Sequence, residues 1–296
     1  MITLLVDSNA LRHPALDAYL TSSRDHAVAF SDLTLMEMRK TNALATSRQS
    51  LQIVGKYPLQ TFVLRRTDDV LSENIATAAD AERLFDYAAG LELEALCQAL
   101  QTVPVPPELP AVMADAESDA QTFLARLTEE VRVLEPGMID AAKDFTTAEL
   151  NAIRDRQGVT DATSRKLLDL LKSTTGEFIL ANQEPGRRTP IKVRDLLGTF
   201  AFRYSLCVIL YYMEWVRVGR TTGKKVERRV NDVVDMQIAA MGSYFSGVLS
   251  ADIGLQTISQ TARAALRQFG AYVGPDWTPA RSSDRAVTRG ATRGRR

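Results

Sequence analysis

The run Ile2 to Val6, apolar but for Thr3, stops abruptly at Asp7-Ser8-Asn9. A strand covered on both faces needs apolar side chains on both, and such strands belong to parallel sheets packed between helices. The run therefore predicts an α/β fold whose first strand delivers polar groups at its carboxyl end. Leu11 to Leu20 reads as a helix and Ala27 to Phe30 as a second strand. Ser31 or Asp32 can cap the helix that carries Leu33, Leu35, Met36, Glu37 and Met38. A helix near Ser47 to Lys56 ends at Tyr57-Pro58, and Thr61 to Leu64 predicts a third strand. This alternation implies a central parallel sheet flanked by helices.

From Arg65 the pattern changes. Long helical periodicities cover roughly 80–101, 115–134, 138–156, 161–181 and 191–218, punctuated as loops by Pro104 to Pro110, Pro136-Gly137, Gly158 and Glu184 to Pro190. After a turn at Gly219 to Gly223 comes a helix from about Lys225 to Phe245. A strand at Gly247 to Ser250 and a last helix from Leu255 to Phe269 then restore the alternation. The expected organisation is one α/β unit from residues 1–64 and 225–275, a large all-α insertion over 65–224, and a disordered basic tail over 276–296. Within residues 281–296 six arginines face one acid, a charge of +5, so with zero net charge overall the remainder carries −5.

Bulk properties exclude several classes. Lys plus Arg and Asp plus Glu both total 36, so no bulk field draws the chain to nucleic acid or membrane. Cys97 and Cys207 are far apart, which makes a disulfide framework or zinc site a poor fit and suits a reducing cytoplasm. The opening MITLLVD lacks the basic start and long apolar core of a secretion signal. Leu206 to Val218 is interrupted by Glu214 and Arg217, and predicts a buried helix rather than a membrane span. Its Tyr211, Tyr212 and Trp215, with Tyr204, are expected in a core or subunit interface. No Gly-x-x-x-x-Gly-Lys loop occurs. Neither His13 nor His26 lies near a recognisable nucleophile motif, and Asn9 stands where a haloacid-dehalogenase-type phosphatase needs a second Asp.

The acids carry the chemistry. Ligands of parallel sheets gather outside the carboxyl ends of the strands. Asp7 ends the first strand, and Asp252 lies two residues beyond Ser250 at the end of the last. Asp232 and Asp235, three apart, share a helix face, with Asn231 beside them, and Glu37 lies early in the helix after strand two. A phosphodiesterase needs such convergence because hard Mg²⁺ or Mn²⁺ prefers oxygen ligands and keeps some of its waters. Bland readings exist for each acid: Asp7 as a helix cap, Glu37 as a solvated surface acid, Asp232 or Asp235 paired with Arg228 or Arg229.

The ordered set LLVDSNAL, SDLTLMEMRK, NDVVDMQIAAM and GVLSADIGL resembles the PIN-domain nucleases over residues 1–64 and 225–275. The chain departs from them in the 160 residues between. Asp7, Glu37, Asp235 and Asp252 match the family's four acidic places, Asn9 a frequent polar position, and Ser250 the hydroxyl that orients the acids. Asp232 is an additional, supporting acid. The resemblance implies a PIN-like sheet and a metal-dependent endoribonuclease. Asp7, Asp235 and Asp252 would hold Mg²⁺ or Mn²⁺, with Glu37 as ligand or water-orienting base. RNA is the expected substrate, with DNA open, and Lys224, Lys225, Arg228 and Arg229 are candidates to grip its backbone, as are Arg187 and Arg188. Small PIN proteins often serve as toxins or defence effectors, so a protein inhibitor or antitoxin is an expected partner and a homodimer an expected assembly, with no membrane role. The alternative is a catalytically degenerate PIN-like module that binds protein or nucleic acid.

Overall fold

The computed structural model describes residues 1–155, 158–182 and 193–277. Four strands, β1 (Ile2–Val6), β2 (His26–Phe30), β3 (Thr61–Val63) and β4 (Val248–Leu249), form an all-parallel sheet in the order β3-β2-β1-β4. The first three are joined through α1 (Pro14–Ser22), α2 (Asp32–Arg39) and α3 (Ala43–Ser50). The middle of the chain supplies α4 (Thr67–Val70), α5 (Ala78–Glu82), α6 (Tyr87–Gln101), α7 (Leu109–Glu130), α8 (Leu134–Ala141), α9 (Thr147–Arg154), α10 (Asp161–Ala181), α11 (Val193–Leu196) and α12 (Phe200–Arg217). Then α13 (Val226–Gly242) leads into β4, and α14 (Ile253–Gln268) follows it.

Alternate side chains of each strand point to opposite faces, and this divides the core. Leu4, Val6, Val28 and Phe30 pack with Leu16, Leu20, Leu93 and Cys97 on one side. Leu5 and Ala29 pack with Leu33, Phe200, Cys207, Val233 and Met236 on the other. The middle helices belong to these layers: α6 lies against β3 and α3, α7 against α2 and α3, and α12 against α13 and α14. A smaller cluster of Met138, Phe145, Ile153, Tyr212 and Trp215 joins α8 and α9 to α12. Tyr212 and Trp215 are thus buried, as a core role requires.

Local chemistry explains where element boundaries depart from expectation. The pattern over 80–101 is two helices, because residues 84–86 run antiparallel beside the end of β3. There the Arg65 N–H donates to the Leu84 carbonyl and the Asp86 N–H to that of Val63, each at 2.8 Å. Pro136-Gly137, expected as a loop, falls inside α8, where Pro136 is third in the first turn and its missing N–H has no intrahelical partner to lose. The third helix begins at Ala43 instead of Ser47. Asp276 and Trp277, expected in the tail, are docked: Asp276 pairs with Arg263 and Arg267, and Trp277 meets the Tyr19 ring edge-on at 5.1 Å. The rest of the tail, 278–296, and Arg187 and Arg188 lie outside the described residues. Among the described residues no helix is long and apolar enough to cross a membrane.

Candidate metal centre

The chain passes from β1 outward to β2 and β3, and returns only at β4 to the other flank of β1. Connections therefore diverge above β1 and β4, and open parallel sheets place their ligand crevices at such a switch point. Three backbone hydrogen bonds fix the pair: Ser246 N–H to Thr3, Leu5 N–H to Gly247, and Asp7 N–H to Leu249. Gly247, at φ 117°, gives the left-handed turn that lets the chain leave α13 and enter β4. Asp7 and Ser250, 243 residues apart, thereby become neighbours.

Ser250 is the hub. Its buried hydroxyl donates to Asp7 Oδ2 at 2.7 Å and accepts from the Asp252 N–H at 2.9 Å. Asn9 Nδ2 reaches the same hydroxyl at 3.2 Å, and Asn9 Oδ1 accepts from the Ala251 N–H at 2.8 Å. Gln256 closes the turn by donating to the Ser250 carbonyl at 2.6 Å. Asp252 caps α14 with one oxygen, accepting from the Leu255 N–H at 3.0 Å, and is otherwise exposed. Asp7 does not use its side chain as a cap.

Glu37 reaches the cluster from α2. Ser31 caps that helix, and the Thr34 hydroxyl bonds the Val6 carbonyl at 2.8 Å, tying the helix to the end of β1. Glu37 accepts from the Ser8 hydroxyl at 2.5 Å and pairs with Lys40 at 3.5 Å. Its side chain is only 15% exposed, so it is not a solvated surface acid. Ser8, Lys40 and Gln256 had not been singled out from the sequence. The Ser8 partner is 29 residues away and shows in no local spacing, whereas Lys40 lies at i,i+3 from Glu37 and Gln256 six residues after Ser250, spacings that do signal a contact.

The fourth acid rises from α13. Asp235 has no hydrogen-bond donor or cation as partner among the described residues, and the proposed pairing with Arg228 or Arg229 does not form. Burial pushes its carboxyl up to about 7, helped by the charges of Asp7, Asp252, Glu37 and Asp232 in that order. The Asp7 carboxyl is also raised, chiefly by burial and further by Glu37 and Asp252, against the lowering effect of the Ser250 hydrogen bond. Each of these four acids thus lies within the field of the others.

Asp232, one turn before Asp235, is committed differently: it accepts from the Tyr211 hydroxyl at 2.7 Å and pairs with Lys224. Arg229 pairs with Glu135 at 3.4 Å. Lys225 and Arg228 are exposed on the first turn of α13. With Tyr211 and Trp215, the residues Lys224, Arg228 and Arg229 line a cleft of roughly 450 Å³. Two of the four basic candidates are therefore partly neutralised by acids of the same chain.

An oxygen-only donor set with one lysine near its edge suits a hard divalent cation, and the Asp235 and Asp7 carboxyls are raised by burial first and by the neighbouring acids second. The acids share a field without closing into a cage: among the described residues no three His, Cys, Asp or Glu side chains form a group ready to hold an ion. No protein-family model, curated protein or solved structure matches this chain.

Proposed function

We propose that the chain is a PIN-like, metal-dependent nuclease that hydrolyses phosphodiester bonds in RNA. The observation that carries this reading is the convergence of Asp7, Glu37, Asp235 and Asp252 on the rim above β1 and β4, with Asp235 raised to about 7 by burial and by the other three. Like-charged carboxylates about 4 Å apart repel by roughly 4 kcal/mol at an effective dielectric near 20, so grouped acids need a cation or protons. Asp7, Asp235 and Asp252 would hold Mg²⁺ or Mn²⁺, which when bound withdraws charge from a phosphate oxygen and lowers the pKa of a water.

The protein's own groups do the positioning. Ser250 and Asn9 fix Asp7 and the Asp252 turn, and Ser8 and Lys40 hold Glu37. Glu37 orients the attacking water and accepts its proton. The new P–O bond forms in line with the departing 3′ oxygen, which leaves with the electron pair of the broken bond and takes a proton from solvent. The cleft at Tyr211, Lys224 and Arg228 begins about two helical turns before Asp235 and offers cationic and aromatic groups to a nucleotide further along the strand.

The lack of a closed cage favours one rival, a degenerate PIN-like module that binds without cutting. Incubating purified parent and Asp7→Asn proteins with mixed RNAs and Mn²⁺ separates the two. Cleavage by the parent, reduced at least about 100-fold by the substitution, supports the nuclease. Equal cleavage by both, or none by either, overturns it.

A further inference from the structure

A second cleft, of roughly 560 Å³, opens between α2 and α7 on the β3 side of the same rim. Its volume lies in the range of ligand sites. Asp32, Leu35, Met36 and Arg39 recur at the spacing of one helix face, so this face of α2 lines the cleft while Glu37 turns toward β1. Arg39 is half-buried there. Its Nε is buried with no acceptor, and among the described residues no carboxylate pairs with it. Burying a guanidinium without a partner is costly unless an anion arrives to meet it.

Arg66 stands on the opposite lip, exposed and without an ion pair among the described residues, three positions beyond the end of β3. Arg126 lies over the Phe123 ring at 5.0 Å and reaches Asp68 and Glu130 only at 3.6 Å. Of the two acids in the lining, Asp32 is occupied by the Thr67 N–H and hydroxyl and the Leu33 N–H, at 2.8–3.0 Å, and Asp119 is exposed. Arg39 and Arg66 are thus the uncommitted charges, beside a half-buried Phe123 ring that packs against the core and is faced by Arg126.

We propose that Arg39 and Arg66 hold phosphate groups of a single RNA strand whose scissile bond lies over the acidic cluster. Arg39 lies about 3 Å further along the α2 axis than Glu37 and on the opposite side of that helix, so a strand crossing the helix at this level meets the two sites in turn. Arginine forks match phosphate oxygens in a bidentate manner and read no base, so the grip is indifferent to sequence. The inference rests on the nuclease reading for its substrate, and predicts a binding property that needs no catalysis.

The test is fluorescence anisotropy of a labelled single-stranded RNA in EDTA, over a salt series, with the full-length parent, Arg66→Gln, Arg39→Gln and the double variant. Arg66 is exposed, so its replacement leaves folding intact, and thermal melting checks the Arg39 variant. The double variant should bind at least about tenfold more weakly. The slope of log affinity against log salt should fall by about 1.4, at roughly 0.7 per phosphate contact of a single strand. Unchanged slope and affinity, or no RNA binding by the parent, overturns the cleft. Asp7→Asn is assayed alongside for cleavage in Mn²⁺, so that the two readings fail separately. Cleavage lost with Asp7 while the arginine variants bind normally defeats the cleft alone. Arginine-dependent binding without any Asp7-dependent cleavage defeats the nuclease reading and leaves the cleft standing.

Discussion

Asp235 has a stability consequence that follows from the sign of its shift. Its folded carboxyl sits near 7 against an ordinary value of 3.8, so between those values the folded protein keeps a proton the unfolded chain has released. Its contribution is fully present below about 4 and is lost as pH rises through 7. In EDTA at pH 7.5, Asp235→Asn should therefore be more stable than the parent by about 1–2 kcal/mol, a few degrees in melting temperature, because an uncharged amide replaces a repelled carboxylate. At pH 5 the folded parent carries the proton itself and the gap should shrink to about half or less, closing only below about 4. A gap of equal size at both pH values would show that charge is not its cause. Ser250 makes the opposite case at this scale: Ser250→Ala removes the one side-chain hydrogen bond that a buried Asp7 receives among the described residues, and should cost about 1–3 kcal/mol in thermal unfolding.

Among the elements, α13 and β4 form the joint that brings the two ends of the chain together. A methyl group at Gly242, the last residue of α13, would meet Val248 Cγ2 at 2.5 Å and the Gly247 carbonyl oxygen at 3.3 Å. Gly242→Ala should push β4 from its place beside β1, destabilise the fold by about 1–3 kcal/mol, and weaken any activity that needs Asp7 and Asp252 together. Denaturant unfolding and cleavage rate would report the two effects, and a fully active, fully stable variant would contradict the joint. Elements of this kind were the legible part of the chain. Continuous apolar runs and their closing acids locate β1, β2 and β4, and the cap candidate Ser31 marks where α2 starts, whereas α14 starts at Ile253, two residues before the expected Leu255, because Asp252 caps it. What stayed hidden depends on partners distant in sequence. The split after Glu82 arises because residues 84–86 bridge to the end of β3, and Asp232 is drawn away from the other acids by Tyr211 and Lys224. Spacing along α13 puts Asp232 and Asp235 on one face but cannot say which of them has a cation waiting.

At the scale of the whole molecule, the helices between β3 and α13 supply part of the core on both faces of the sheet. Leu93 and Cys97 of α6 pack with Leu4 and Val6, while Phe200 and Cys207 of α12 pack with Leu5 and Met236. Burial of each such side chain is worth about 1.5–3 kcal/mol, so losing these four alone is comparable with the whole stability of an ordinary domain. A chain in which a short linker replaces residues 65–224 should give no cooperative thermal transition; a sharp one would show that the ends fold alone. Two buried arginines complete the assembly. Arg263 donates to the carbonyls of Gly242, Phe245, Gly274 and Pro275, and Arg203 to Ser243 Oγ and the Tyr272 carbonyl, fastening residues 272–276 across the end of α13. The acids of the rim are thus held by a scaffold that extends over the described length of the chain. Calorimetric titration of Mn²⁺ into EDTA-stripped, dialysed protein asks most directly whether that scaffold exists to hold a cation. The parent should bind at pH 7.5 with proton release, more weakly at pH 6, and at least about tenfold more tightly than the Asp7→Asn, Asp235→Asn double variant. Equal affinity in parent and double variant, or no binding by the parent at millimolar Mn²⁺, would contradict a metal centre at Asp7 and Asp235.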